Sequence, residues 1–123
     1  MSHLSKIKTV IKDEKILAQT LSDLGLNWTK YPSLSESHDK FNYHVKQDKN
    51  VDLDFLWNDH FYEISTDIQL WSKNIPFEMF LNNINQKYAY NTILSKGNNV
   101  GFKPIKESVN SQGTVTLTLR RWQ

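Results

Sequence analysis

The chain has 123 residues, 38% of them hydrophobic, which suits one domain with one core. It contains no cysteine, and this excludes disulfide bonds, thiolate metal sites and thiol catalysis. The formal net charge of +2 is too small to indicate a nucleic-acid or membrane partner. No apolar run approaches the ~20 residues of a membrane-spanning helix, so we expect a soluble protein without a transmembrane segment.

The basic residues are almost all lysine. Only Arg120 and Arg121 are arginines among 15 basic residues, and asparagine occurs 12 times. Lysine, asparagine and isoleucine use AT-rich codons, whereas arginine and glycine mostly need GC-rich ones. Selection for surface lysine would not also raise asparagine, so the composition indicates an AT-rich genome, such as that of an organelle or an AT-rich bacterium.

The first half of the chain predicts a strand, a helix and then several strands. Residues 3–12 alternate like a strand. Asp13 is placed to cap a helix that ends at Gly25. Further strands are predicted over residues 26–31, 41–46, 51–55 and 61–66. The polar residues 33–40 between the first two of these predict an exposed loop.

Residues 76–94 predict the main helix of the protein. Its apolar stripe has the i, i+3, i+4 spacing of one helical face and consists of Phe77, Phe80, Leu81, Ile84 and Tyr88. Gly97 is expected to end the helix. Tyr90, Ile93 and Leu94 leave the stripe, so this end is either buried on several sides or offers apolar surface to a partner.

Two more strands follow, over residues 100–108 and 114–122. Pro104 interrupts the first and indicates an edge position or a bulge. The element order, with one main apolar stripe on each helix, predicts an α+β fold over residues 1–123. We expect a single domain, a two-layer sandwich of a mainly antiparallel sheet with both helices on one face. Helices on opposite faces would need two apolar sheet faces, and Asp52 and Asp54 argue against that.

No catalytic, cofactor-binding or metal-binding motif emerges. Ligand spacing is absent among the four histidines, His3, His38, His44 and His60. Asp52 and Asp54 share a strand face, but two carboxylates alone rarely hold a hard cation, so we interpret that face as solvated. Asp59 and His60 have no accompanying nucleophile. The sequence therefore predicts no catalytic residue, no cofactor and no metal.

One group of aromatic and basic residues is a candidate partner-binding surface. Its members are Lys87, Tyr88, Tyr90, Arg121 and Trp122. Tyrosine, tryptophan and arginine are enriched at interface hot spots. The alternative is that Tyr88 and Trp122 are core residues and that the two arginines cap the end of a strand. The hypothesis requires the end of the main helix and the end of the last strand to lie side by side.

Three segments resemble a known family. They are MSHLSKIKT at residues 1–9, NQKYAY at 85–90 and LTLRRW at 117–122. Over its whole length the chain resembles the thirty-fifth of the hypothetical chloroplast reading-frame families, found in red-algal and related plastids and in cyanobacteria. The resemblance implies a plastid location, with the stroma as the expected compartment, and it implies no activity. It agrees with the codon bias and with the N-terminal residues, which we expect to hold no transit peptide because strand-like alternation starts almost at once.

Three functions stay open. The first is a non-enzymatic accessory or protein-binding module connected with photosynthetic complexes, whose protein partner is unidentified. The second is a small enzyme with a composite site, which a buried polar cleft with shifted titrating groups would favour. The third is RNA binding through the sheet, which exposed aromatic rings among lysines would favour and the weak net charge disfavours.

Overall fold

The computed structural model describes residues 4–34, 40–72, 74–99, 102–109 and 115–121, and after Gly97 it describes the backbone. The elements are β1 (Ser5–Lys8), α1 (Glu14–Asp23), β2 (Asn27–Pro32), β3 (Phe41–Lys46), β4 (Leu53–Trp57), β5 (Tyr62–Thr66), a 3-10 turn (Ile68–Leu70), α2 (Phe77–Asn99), β6 (Phe102–Val109) and β7 (Val115–Arg121). Within the described residues no helix is both long and apolar enough to cross a bilayer.

The main sheet is antiparallel and has five strands in the order β1-β5-β4-β3-β2. Strands β2 to β5 pair consecutively as a meander, and β1 adds to the free edge of β5. The register aligns Tyr43, Phe55 and Ile64 in one row that faces the helices. Because side chains alternate between sheet faces, His44, Asp54 and Ser65 form a row on the other face.

Both helices cover the same face of this sheet, as the sequence predicts. Each helix contributes to a single buried cluster together with the inner row of the sheet. The cluster consists of Ile11, Leu17, Leu21, Tyr43, Val45, Leu53, Phe55, Tyr62, Ile64, Phe77, Phe80, Ile84 and Tyr88. The predicted α+β two-layer arrangement is confirmed.

Helix α1 begins and ends at the predicted residues. The Asp13 carboxylate accepts a hydrogen bond from the backbone nitrogen of Ile16 at 3.1 Å, the arrangement of an N-cap. At the other end, Gly25 has a φ of +70°, which a residue without a Cβ adopts at little cost. The Leu26 nitrogen then donates to the Leu21 carbonyl at 3.0 Å, closing the helix end.

Helix α2 extends further than the sequence indicates. The prediction that Gly97 ends it is wrong, because α2 continues to Asn99. Gly97 is buried inside the helix. A glycine within a helix costs only about 1 kcal/mol relative to alanine, which tertiary packing overrides.

Strand β1 is shorter than the predicted residues 3–12. It ends at Lys8, and the Thr9 hydroxyl then donates to the Tyr62 carbonyl at 2.7 Å and accepts from the Ile11 nitrogen at 3.0 Å. Backbone pairing with β5 continues irregularly beyond Lys8, because the Thr9 nitrogen donates to the Tyr62 carbonyl at 3.2 Å and the Tyr62 nitrogen donates to the Ile11 carbonyl at 2.9 Å, and Ile11 is buried in the core. The predicted loop over residues 33–40 lies partly outside the described residues; within it, Ser33 is buried and Leu34 is 97% exposed.

The last two strands form a sheet of their own. Strands β6 and β7 pair antiparallel with each other, and both contact α2. The register shifts between Pro104 and Lys106, which confirms the irregularity that Pro104 predicts.

Candidate functional site

Tyr88 is part of the core. Its side chain is 9% exposed, and its phenol oxygen accepts hydrogen bonds from the backbone nitrogens of Lys12 at 3.2 Å and Asp13 at 3.0 Å. Tyr88 thereby joins α2 to the N-terminal cap of α1. This is the structural role that the sequence left open as an alternative to partner binding.

Lys87 and Tyr90 lie on the flank of α2 instead. The Lys87 ammonium is 4.5 Å from the centroid of the Tyr90 ring, within the range of a cation–π contact. Arg121 is the last residue of β7, a strand that contacts α2, so the two elements are neighbours. Trp122 lies outside the described residues. Among the five residues of the predicted surface, the structure thus shows a contact between Lys87 and Tyr90.

An open groove of about 430 Å³ runs between α1 and α2 next to Tyr90. Its lining comes from one face of each helix and comprises Lys15, Ile16, Gln19 and Asp23 of α1 with Lys87, Tyr90, Asn91, Leu94 and Ser95 of α2. Tyr90 and Leu94 are two of the residues that leave the apolar stripe of α2. These two side chains line the groove and do not belong to the buried stripe.

Asn91 of α2 joins the two walls of the groove through hydrogen bonds to α1. Its amide donates to the Thr20 hydroxyl at 3.2 Å and to the Asp23 carboxylate at 3.0 Å, and Gln19 donates to the other Asp23 oxygen at 2.7 Å. These two amides, Asn91 first, hold the pKa of Asp23 below its ordinary value, and attraction to Lys87 adds to their effect. An acid in the last turn of a helix opposes the helix dipole, so the amide donors keep an otherwise unfavourable anion in place.

Lys15 adds a positive charge to the α1 wall of the groove. Lys15 is exposed, and within the described part of the chain no ion pair involves it. Lys15 and Asp23 are eight residues apart on α1, roughly 12 Å at ~1.5 Å per residue. The partly buried apolar side chains of Ile16 and Leu94 share the groove lining with these two residues, as does Lys87. The groove therefore combines apolar side chains with opposite charges that lie eight residues apart on α1.

A polar network occupies the opposite face of the sheet. His44 Nδ1 lies 2.5 Å from Asp54 Oδ1, and His44 Nε2 lies 3.2 Å from Asp52 Oδ2. The Tyr31 hydroxyl donates to Asp54 Oδ2 at 2.7 Å. Sequence reasoning found the two aspartates and missed His44, because only the register of β3 against β4 places it opposite Asp54.

This network is not arranged as a metal site. Both ring nitrogens of His44 face carboxylates, and nowhere in the described chain do three His, Asp or Glu side chains form a group that could hold a metal ion. Burial, and then the hydrogen bond to Asp54, raise the pKa of Tyr31 well above its ordinary range. Tyr31 therefore stays protonated at neutral pH and serves as a donor.

Two lysine–aromatic pairs lie where β3 begins and β4 ends. The Lys30 ammonium is 4.7 Å from the centroid of the Phe41 ring, and the Lys40 ammonium is 5.1 Å from the centroid of a Trp57 ring. Phe41 is 40% exposed. The sequence did not single out these pairs, because residues 30, 40 and 57 approach one another only through the strand pairing.

The fold and the groove define a small α+β protein with a two-helix layer on an antiparallel sheet. A family model described as a protein of unknown function (DUF1257) matches residues 20–118. The chain is 40% identical over 127 residues to uncharacterized protein ycf35 of Guillardia theta, covering 100% of this chain and 99% of that relative. It is 36% identical over 130 residues to ycf35 of Pyropia yezoensis, covering 99% and 98% of the two chains, and 31% identical over 127 residues to ycf35 of Cyanophora paradoxa, covering 100% and 99%. No solved structure matches.

The chain belongs to the ycf35 family, the DUF1257 proteins. The family resemblance of the three sequence segments is thereby confirmed. The relatives are plastid-encoded proteins of algae, and this agrees with the plastid location that the resemblance implies.

Proposed function

We propose that this protein is a non-enzymatic accessory module of the plastid stroma, connected with photosynthetic complexes, which binds a partner protein through the groove between α1 and α2. The observation that carries the proposal is the groove itself, whose lining combines apolar side chains with polar and charged ones. Protein interfaces combine the same two kinds of surface, an apolar centre and a polar rim. The plastid origin of the relatives supports the cellular setting.

Tyr90 and Leu94 are the central contacts of this proposal. Both are partly exposed, and within the described residues neither belongs to the buried cluster or to the apolar side chains packed against it. Tyrosine brings a large ring to an interface at a low cost in conformational entropy. Lys87 lies over that ring and supplies a charge beside it. A partner that covers this end of α2 would bury apolar surface that the fold itself leaves accessible.

Co-purification tests the proposal. A tagged protein expressed in its own plastid should recover a specific partner, and the variant Tyr90→Ala/Leu94→Ala should lose that partner while melting near the wild-type temperature. The matched control is Met79→Ala/Asn83→Ala, which truncates two exposed residues of the same helix outside the groove. If the groove variant is folded and recovers every partner, the binding surface lies elsewhere.

The enzymatic alternative has the Tyr31, His44, Asp52 and Asp54 network as its best location. His44 is 38% exposed and Asp52 41% exposed, so the network lies on an open sheet face and not in a buried cleft. The raised pKa of Tyr31 moves this phenol away from neutral pH, whereas a general base works best with a pKa near the working pH. The network therefore supports a hydrogen-bonding role better than catalysis.

The RNA-binding alternative is favoured by one specific observation, the exposed ring of Phe41 beside Lys30. Bases stack on such rings, and lysines attract the backbone. By strand alternation, however, Phe41 and Lys30 lie on the sheet face of Tyr43, which the two helices cover, so this face offers no open platform for a nucleic-acid strand. We therefore expect that the protein does not change the electrophoretic mobility of a single-stranded polyuridine probe at about 0.15 M salt. A shift that Phe41→Ala abolishes would favour the RNA-binding function.

A further inference from the structure

We propose that the occupant of the groove is an amphipathic helix of the partner protein, carrying one acidic and one basic residue about two helical turns apart with apolar residues between them. The inference rests on the proposed function, because it names the chemistry of the partner at the same groove. It follows from the spacing of Lys15 and Asp23 on α1 and from the apolar side chains that share the groove lining with them.

The spacing comes from Lys15 and Asp23. They are separated by roughly 12 Å along α1, and a helix lying alongside α1 rises by the same ~1.5 Å per residue. Charges that meet Lys15 and Asp23 therefore occur seven or eight residues apart on the partner, at positions that share one face of a helix. The acidic residue meets Lys15 and the basic residue meets Asp23.

Asp23 is prepared for a cation. Each of its oxygens accepts one hydrogen bond, from Gln19 and from Asn91, and an ionised carboxylate has about four lone-pair sites. The lowered pKa means that the group is charged at neutral pH, and the two amides restrict its rotation. An arginine guanidinium of the partner would donate hydrogen bonds to the remaining lone pairs of the Asp23 carboxylate, and these bonds would add directional specificity to the charge attraction. Lys87 also attracts Asp23, while its ammonium lies over the Tyr90 ring.

The groove walls favour a helix as the occupant. On α1 the lining residues are spaced by about four, and on α2 they are spaced by three and four, so each wall is a helical ridge. A third helix packs its own ridge of side chains into a groove of this kind. Helix-in-groove recognition then places apolar anchors at i, i+3, i+4 and i+7 against Ile16, Tyr90 and Leu94.

Site-specific photocrosslinking separates this inference from the proposed function. A photoreactive amino acid replaces Ser95 at the groove, or Asn83 outside it as the control, in the full chain expressed in its own plastid. The crosslinked peptides are identified by mass spectrometry. We expect the groove probe to capture a segment with the apolar spacing of a helix and with opposite charges seven or eight residues apart. Capture of a segment without this pattern overturns the inference and leaves the proposed function in place. No capture specific to the groove probe overturns both.

Charge reversal then tests the captured segment directly. Lys15→Glu touches no hydrogen bond of the groove wall and should weaken binding of the synthetic segment roughly three- to tenfold in calorimetric titration. Replacing the acidic residue of the segment by lysine should restore the affinity for Lys15→Glu. Unchanged binding by Lys15→Glu, or failure of the restoring substitution, overturns the assigned charge order.

Discussion

The phenol oxygen of Tyr88 lies 3.0 Å from the backbone nitrogen of Asp13, the residue that caps α1. The same oxygen accepts a hydrogen bond from the nitrogen of Lys12. One side chain of α2 therefore satisfies two backbone donors just before α1 begins, 75 residues earlier in the chain. Backbone donors in partly buried positions need such partners, so this contact fixes how the two helices meet and thereby shapes the groove between them.

Tyr88→Phe should lower the free energy of unfolding by about 1–3 kcal/mol, because two N–H groups lose their acceptor while the ring remains. Urea unfolding measures the change, and Met79→Leu at an exposed position of α2 is the control. Unfolding unchanged from wild type would show that water replaces the phenol oxygen at no cost.

Ile84→Asp should prevent stable folding. Ile84 is 0% exposed at the centre of the buried cluster, and a carboxylate there has no compensating partner of the kind that buried charges require. Asn83→Asp places the same charge on the adjacent, exposed residue and should melt like the wild type. A cooperative melt of Ile84→Asp near the wild-type temperature would show that the α2 face is assigned wrongly.

Asp23 should stabilise the protein in a pH-dependent way. Its pKa is lower in the folded protein than in the unfolded chain, first because Asn91 and then because Gln19 donate to its charged form. The stabilisation is therefore complete above the ordinary carboxyl pKa of about 4 and is lost as the pH falls through the lowered folded value. The stability difference between wild type and Asp23→Asn should be constant from about pH 5 to pH 8 and should shrink below about pH 4. Urea unfolding across this range measures it, and a difference that grows on acidification would contradict the assignment.

The fold class was predictable because the spacing of apolar residues within a single helix or strand identifies its buried face without knowledge of the other elements. The stripe through Phe80 and Ile84 identifies the buried face of α2, and Asp13 and Gly25 mark the ends of α1 through backbone chemistry that needs no tertiary contact. The prediction that α2 ends at Gly97 was wrong because the burial of Gly97 depends on tertiary packing, which outweighs the intrinsic preference of glycine for helix ends.

The candidate site was only partly predictable, for a geometric reason. Tyr88 and Tyr90 are close in sequence, but positions two residues apart in a helix are rotated by about 200° about its axis. The predicted surface therefore grouped a core residue, Tyr88, with a groove residue, Tyr90. The Asp23 side of the groove was missed because it depends on the contact of Asn91 with α1. His44 was missed because strand register is not encoded in any single strand.

Purified, untagged protein should contain no stoichiometric transition metal. The sequence has no cysteine, and the His44 nitrogens are directed at Asp52 and Asp54. Elemental analysis checks this, with His44→Ala as the control for the outer-face network. About one zinc or iron per wild-type chain, lost in His44→Ala, would show that these carboxylates and the imidazole rearrange around a metal ion.

The last prediction concerns how far the proposed binding surface extends towards the terminal strand. Strand β7 ends at Arg121 and contacts α2, the helix that carries Tyr90. Tyr90→Ala alone should reduce partner recovery strongly, because truncating an interface hot spot costs about 2 kcal/mol or more, whereas the loss of a partly exposed side chain changes folding stability much less.

Arg121→Glu tests whether the strand end belongs to the same surface, and Tyr90→Ala/Arg121→Glu should abolish recovery with the melting temperature nearly unchanged. If Arg121→Glu alone leaves recovery at the wild-type level, the surface is limited to the groove. If the double variant unfolds, Tyr90 and Arg121 are structural, and the partner hypothesis fails for both residues.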